Sequence, residues 1–142
     1  MKFSLPRVLF LLIIGLFVSA LLLPGEVSAS ETNKTGVKVM QKEELGNFLA
    51  AGDSMTLYYY TKDEKSISHC IEGCAANWPP FYVDPSLVVE GCESSDFATI
   101  TRYDGRKQTT YKGRPLYHFI NDKYPSDTLG QGIGEVWFIV TP

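Results

Sequence analysis

One aromatic and acidic pattern occurs twice in the chain, and it constrains the fold more than any other sequence feature. Residues 57–63 read LYYYTKD, and 59 positions later residues 116–122 read LYHFIND. Both copies fit the pattern Tyr-x-aromatic-x-x-Asp, and in both a tryptophan follows the Asp after fifteen residues. The repeat therefore predicts one structural unit that is built twice.

An ungapped alignment of residues 57–81 with residues 116–140 extends the match. Five of the twenty-five positions are identical, and they fall on leucine, aromatic, acidic, glycine and tryptophan positions. We predict two related β units packed about a pseudo-two-fold axis, in which the two aromatic residues of each motif lie on one face of a strand. The identical pairs are Leu57 and Leu116, Tyr58 and Tyr117, Asp63 and Asp122, Gly73 and Gly132, and Trp78 and Trp137, while Phe119 takes the place of Tyr60.

The first 29 residues have the organisation of a secretory signal peptide. A short basic segment precedes an uncharged run, residues 8–23, and small residues follow at 27–29. This pattern predicts cleavage after Ala29. The alternative is an uncleaved membrane anchor, because the run is only slightly shorter than the roughly 20 residues that span a bilayer. No cysteine follows the run, so we expect no lipid anchor there, and residues 30–36 read as a flexible linker.

Charge and motif content exclude several function classes for the remaining domain, residues 37–142. The chain after residue 29 carries 11 basic and 15 acidic residues, a net charge of −4. A mildly acidic domain without a Lys/Arg cluster is a poor nucleic-acid binder, because neutralisation of phosphates dominates that affinity. There is no GxGxxG, P-loop or GxSxG motif, so we expect no cofactor.

Strand signals dominate this domain. Asp104–Gly105 is the strongest hairpin signal, and the turn-rich AAGDS of residues 50–54 predicts another hairpin. One helix-like segment, Ile71–Trp78, ends at Pro79–Pro80. We predict a small antiparallel all-β domain with at most one short helix around residues 70–78. The expected strands are residues 37–40, 48–49, 55–60, 97–103, 107–111, 110–119 (which turns through 112–115) and 135–140.

The two repeated carboxylates are the obvious catalytic candidates, because paired carboxylates perform general acid and base chemistry. Asp63 and Asp122, however, each end a strand before a loop, where an Asp side chain readily accepts backbone N–H groups. The two histidines, His69 and His118, do not recur between the repeats. We expect a structural role for both carboxylates and no enzymatic turnover.

The aromatic residues allow two interpretations, a stacking surface for a ligand or a hydrophobic core. A domain of this size obtains much of its buried area from aromatic side chains. We expect the recurring positions to form the core and Tyr59, Tyr82 and Tyr124, which do not recur, to be exposed. The recurring positions are Tyr58, Tyr60, Trp78, Tyr117, Phe119 and Trp137, with Phe81 beside them.

Three cysteines in an exported protein predict one disulfide and one free thiol. A Cys70–Cys74 bridge requires a non-helical loop, because Cβ atoms four residues apart in a helix are about 5–6 Å apart; Gly73 makes such a loop possible. A bridge to Cys92 is the alternative. A zinc or copper site built from His69, Cys70, Cys74, Cys92 and His118, with Met40 or Met55 as a further copper ligand, is a third possibility.

The motif also identifies a family. Tyr-x-[Phe/Trp/Tyr]-x-x-Asp, together with CIEGCAANWPP at residues 70–80, resembles the secreted repeat lipoproteins of bacteria, a family of unknown function. The resemblance covers nearly all of residues 37–142. It carries Cys70 and Cys74 but not Cys92, and so favours the Cys70–Cys74 disulfide.

These features together predict a protein that is secreted or lies on the outer face of the cytoplasmic membrane. We expect a non-catalytic binding or structural module of the cell envelope, with an unknown envelope or extracellular partner. A small extracytoplasmic metal or redox protein that transfers electrons is one alternative. The other is a membrane-tethered accessory subunit, if residues 1–29 remain attached.

Overall fold

A computed structural model of the chain describes residues 36–87 and 90–142. The predicted signal peptide and most of the linker lie outside the described residues. The described strands are β1 (Val37–Lys42), β2 (Gly46–Ala51), β3 (Tyr58–Tyr60), β4 (Phe97–Thr101), β5 (Lys107–Tyr111), β6 (Arg114–Pro115) and β7 (Trp137–Ile139), with one α-helix, α1 (Gly73–Asn77), and three 3₁₀ turns, Pro85–Leu87, Ser94–Asp96 and Ile133–Glu135.

The strands form small antiparallel sheets, which confirms the predicted all-β class. The sheets are β1–β2, β3–β7 and β4–β5–β6. No helix in the described part of the chain has the length and apolar character needed to cross a membrane.

Each unit begins with a hairpin. In the first unit β1 pairs with β2 from Val37 opposite Ala51 to Lys42 opposite Gly46, whereas the sequence predicts the hairpin across residues 50–54. Only one bridge forms across those residues, between Ala50 and Thr56. Two backbone hydrogen bonds hold the following segment beside β2, after which the chain pairs with the second unit.

The second hairpin forms where Asp104–Gly105 predicts it, with β4 paired to β5. Gly105 has φ of +80°, a left-handed conformation that glycine adopts without steric cost. The next turn, from β5 to β6, has positive φ at both Lys112 (50°) and Gly113 (82°). Two consecutive positive φ values are typical of the tight turns that match strand twist.

The two units exchange strands about the predicted pseudo-two-fold axis. Tyr58 and Tyr117 face each other at the axis, and the N–H of each donates to the carbonyl of the other at 2.9 Å. Beyond them β3 pairs with β7, and in the same way residues 116–120 bond to residues 77–81. The edge of each unit's central strand is therefore covered by the end of the other unit.

The helix is shorter than the predicted Ile71–Trp78. It begins at Gly73 because Glu72 has a positive φ of 49°. The last strand is also shorter than the predicted 135–140, because Glu135, with φ of 57°, belongs to a 3₁₀ turn.

The central strands separate two hydrophobic clusters, because successive side chains point to opposite faces. Leu57 and Leu116 enter one cluster, while Tyr58 and Tyr117 enter the other, and all four are fully buried. The second cluster, called the aromatic core below, contains Tyr58, Trp78, Tyr117, Phe119 and Trp137, with Tyr60 packed against it.

Candidate functional site

The repeated Tyr and Asp side chains form two hydrogen bonds that cross between the units. The Tyr58 hydroxyl donates to Oδ2 of Asp122, and the Tyr117 hydroxyl donates to Oδ2 of Asp63, both at 2.6 Å. The other oxygen of each carboxylate accepts a backbone N–H from the following loop, from His69 to Asp63 at 2.7 Å and from Leu129 to Asp122 at 3.0 Å. Both oxygens of each carboxylate are therefore engaged.

Burial dominates the electrostatics of these pairs. Removal from water raises the pKa of Asp63 and of Asp122 above the ordinary value, although the tyrosine and backbone hydrogen bonds oppose this shift. Burial also raises the pKa of Tyr58 and Tyr117, and the facing carboxylate adds to the shift. The two phenols therefore remain protonated donors at any physiological pH.

A buried arginine extends one pair into a chain of hydrogen bonds. Arg102 donates to Ser68 Oγ at 2.7 Å, and Ser68 lies 2.7 Å from the Tyr117 hydroxyl. Because Ser68 accepts from Arg102 and Tyr117 donates to Asp63, the Ser68 hydroxyl is free to donate to Tyr117. Arg102 also donates to the Cys70 carbonyl at 2.6 Å. These hydrogen bonds connect the second hairpin to the loop of the first unit that contains Ser68 and Cys70.

Four rings of the aromatic core form one continuous stack. The centroid separations are 4.4 Å from Tyr60 to Trp137, 3.9 Å from Trp137 to Trp78 and 4.3 Å from Trp78 to Phe119. The two indoles are nearly parallel, at 4°. The stack alternates between the units and reaches the surface at Tyr60, which is only partly buried.

The three tyrosines expected to be exposed differ from one another. Tyr82 and Tyr124 are exposed. Tyr59 is only partly exposed, which corrects the prediction, because the Arg114 guanidinium lies 4.5 Å above its ring and Phe138 packs 6.0 Å away.

The structure contains the Cys70–Cys74 disulfide, with Cα atoms 5.2 Å apart, and leaves Cys92 as a free, partly buried thiol. The alternative metal site is not assembled, because Cys70 and Cys74 are bonded to each other. His69 faces Glu64 at 3.1 Å, and His118 packs its ring against Phe81 at 5.3 Å. In residues 36–87 and 90–142 no three His, Cys, Asp or Glu side chains are grouped to hold a metal ion.

A groove of about 490 Å³ lies at the seam between the units, between residues 59–65 of the first and residues 112–115 of the second. We call it the seam groove. Ser66 N–H donates to the Gly113 carbonyl at 2.7 Å, which ties the two walls together. A Cβ on Gly113 would lie 2.8 Å from Lys65 Cγ, so glycine allows the lysine stem to cross the turn.

The charges of the seam groove are unevenly balanced. Of its acidic residues, Asp63 is held by Tyr117 and His69, and Glu64 faces His69. Among the described residues, Lys65 and Arg114 form no ion pair with a carboxylate. Lys112 has only a long contact of 3.8 Å to Asp96. Three cations and two carboxylates line the groove, so its formal net charge is +1 on a domain that is acidic as a whole.

The repeat does not point to Lys65, Lys112 and Arg114, because these residues do not recur between the two copies. The positions 59 residues away hold Tyr124, Asp53 and Met55. The sequence signal for these three residues is that each differs from the residue at the corresponding position of the other copy.

The fold and the groove define a class: a duplicated antiparallel β domain with an aromatic core and a basic groove at its seam. The chain belongs to a family described as a secreted repeat of unknown function, whose model matches twice, at residues 39–82 and 98–141. Each match spans part of a hairpin and one Tyr-x-aromatic-x-x-Asp motif, and the family confirms the prediction of a secreted protein. Comparison with curated proteins and with solved structures gave no significant match.

Proposed function

We propose that this protein is a non-catalytic binding module of the cell envelope and that the seam groove is its ligand site. The observation that carries the proposal is a pair of cations, Lys65 and Arg114, that form no ion pair among the described residues and line the same groove as Tyr60. The volume of the seam groove is within the range of about 300–1,000 Å³ that is typical of ligand sites. Polar groups around an aromatic surface are the usual means of orienting a ligand.

A non-catalytic role is supported by the state of the candidate acids and bases. A general base must have a lone pair within reach of the proton it removes. Each oxygen of Asp63 and of Asp122 accepts a hydrogen bond from the protein itself, which supports a structural role for both carboxylates. Removing these bonds would leave a buried carboxylate poorly satisfied, which is costly.

Sedimentation of the purified secreted protein with envelope material from the producing cells tests the proposal. We expect the wild-type protein to sediment and the Lys65→Ala/Arg114→Ala variant to remain largely in solution. The matched control is Met55→Ala/Tyr124→Ala, which removes the side chains at the corresponding positions of the other unit. Equal sedimentation of all three proteins, or of none, would contradict the proposal.

A further inference from the structure

We infer that the ligand of the seam groove is an anionic glycan, a sugar chain that carries carboxylate or phosphate groups. This inference rests on the proposed function and names the chemistry of its ligand. Four features support it: the cations, the aromatic surface, the contrast with the second repeat, and an adjoining recess.

The cations are suited to oxyanions. Arg114 has a planar fork of donors that matches the two oxygens of a carboxylate or phosphate. Stacking on Tyr59 holds this fork in place, so less side-chain freedom is lost when an anion binds. Lys65, whose stem crosses Gly113, and Lys112 place two further positive charges on the same groove.

The aromatic surface is suited to a sugar ring. Tyr60 lines the groove, and its ring is supported by Trp137 at 4.4 Å and, behind it, by Trp78. The remaining stack fixes the tyrosine in one orientation. A rigid aromatic ring with a polar tip offers contact area at a low entropic cost, and the C–H face of one pyranose can pack on it while neighbouring units of the glycan meet the cations.

The second repeat provides an internal reference. The core positions are retained between the units, including Tyr58 with Tyr117 and Trp78 with Trp137. The groove residues are not retained, since Asp53 occupies the position that corresponds to Lys112 and Met55 the position that corresponds to Arg114. The same fold is therefore built without these cations, so the architecture does not require them.

A second recess of about 290 Å³, lined by Tyr111, Thr141 and Pro142, adjoins the groove. Lys112 and Arg114 line both spaces, and Lys112 lies 4.9 Å above the Tyr111 ring. Two cation-on-tyrosine pairs thus stand side by side along one surface. This arrangement fits a chain of several sugar units better than a single small anion.

Titration calorimetry with defined polymers tests the inference. The probes are polygalacturonate, dextran phosphate, neutral dextran and polyglutamate, a polyanion without sugar. We expect one or both of the charged polysaccharides to bind and neutral dextran not to bind. Binding should be reduced roughly tenfold or more in Lys65→Ala/Arg114→Ala, since each lost charge-assisted bond is worth about one factor of ten. Met55→Ala/Tyr124→Ala should bind as the wild type does.

Two comparisons complete the test. Binding of only polygalacturonate identifies a carboxylate, and binding of only dextran phosphate identifies a phosphate. Equal binding of polyglutamate, or no loss of polysaccharide affinity in Tyr60→Leu, would show charge attraction alone and overturn the glycan. If sedimentation with envelope material depends on the groove but none of the polymers binds or competes, the glycan is wrong while the binding function stands. If groove dependence is lost in both assays, both are wrong.

Discussion

Tyr58 donates its hydroxyl hydrogen to Asp122, which lies 64 residues further along the chain, in the other repeat. Tyr117 makes the equivalent bond to Asp63. Each motif therefore supplies the donor for the opposite unit and the acceptor for its own loop. The pair of bonds acts as a reciprocal clasp between the two halves of the domain.

The first prediction concerns this clasp. Tyr58→Phe should lower the free energy of unfolding by about 1–3 kcal/mol, because a buried carboxylate oxygen loses its donor. A urea melt measures the loss. Tyr103→Phe is the control, since Tyr103 is 96% exposed and its hydroxyl has little to lose.

A double-mutant cycle sharpens this prediction. Asp122→Asn should destabilise the domain by a similar amount, and combining it with Tyr58→Phe should cost less than the sum of the two single changes. Asp63→Asn should match Asp122→Asn, because the two corners have the same bonds. Strictly additive losses would show that the hydrogen bond contributes nothing of its own.

The second prediction is a pH dependence. Burial raises the pKa of Asp63 and Asp122 in the folded protein, so the folded state binds protons more readily than the unfolded chain over the interval just above the ordinary pKa. Stability contributed by these groups therefore rises as the pH falls. Relative to Asp63→Asn/Asp122→Asn, the wild type should become more stable between about pH 7 and about pH 4.

Asp104 provides a control of opposite sign. Hydrogen bonds from Arg106 lower the pKa of Asp104 to about 2, so its contribution is present at neutral pH and lost as the pH falls through the ordinary pKa and below. The advantage of the wild type over Asp104→Asn should therefore shrink with acidification. Parallel pH profiles for the two comparisons would contradict both assignments.

The third prediction concerns the stacked indoles. Trp78 and Trp137 lie 3.9 Å apart and nearly parallel, so their transitions should couple and give a paired signal in circular dichroism. Trp78→Phe and Trp137→Phe should each abolish this signal while the fold persists. Trp137→Ala should cost roughly 3–5 kcal/mol, because truncation of a buried ring leaves a cavity. A signal that survives in either Phe variant would contradict the stack.

The fourth prediction concerns the disulfide. Reduction of Cys70–Cys74 should lower stability by about 2 kcal/mol, because the bond closes only a short loop. Thermal melts with and without a reductant measure the change. Cys92→Ser should remain equally sensitive to the reductant, whereas Cys70→Ser/Cys74→Ser should be insensitive. Loss of sensitivity in Cys92→Ser would instead assign the reducible bond to Cys92.

The sequence predicts the two units and their packing about a pseudo-two-fold axis, but not which strands and side chains join them. The period of the repeat gives two β units, and the recurring positions give the core residues Trp78 and Trp137. It does not show that Tyr58 bonds to Asp122 rather than to its own Asp63, because alternation within a strand does not reveal which strand lies beside it. Pairing between distant segments depends on the packing of the whole domain.

The seam groove is missed for a different reason. One wall is the end of β3 with the loop after it, and the other is the turn into β6 with β6 itself. Their approach depends on positive φ values at Lys112 and Gly113. Gly113 indicates this turn, but the amino-acid sequence does not show that the Lys65 side chain crosses it. The cations of the groove also lie at positions where the two copies differ, so the repeat does not mark them.

The exchange of strands between the units has a consequence for the origin of the chain. An isolated unit would leave the edge of its central strand unpaired. The segment that pairs with such an edge lies at the end of the same unit. Two identical copies of one unit could therefore satisfy each other in the same arrangement. The present chain has the form of an ancestral homodimer whose subunits were fused end to end by gene duplication. In one chain the shared interior keeps its symmetry while the two surfaces can differ, as Arg114 and Met55 do.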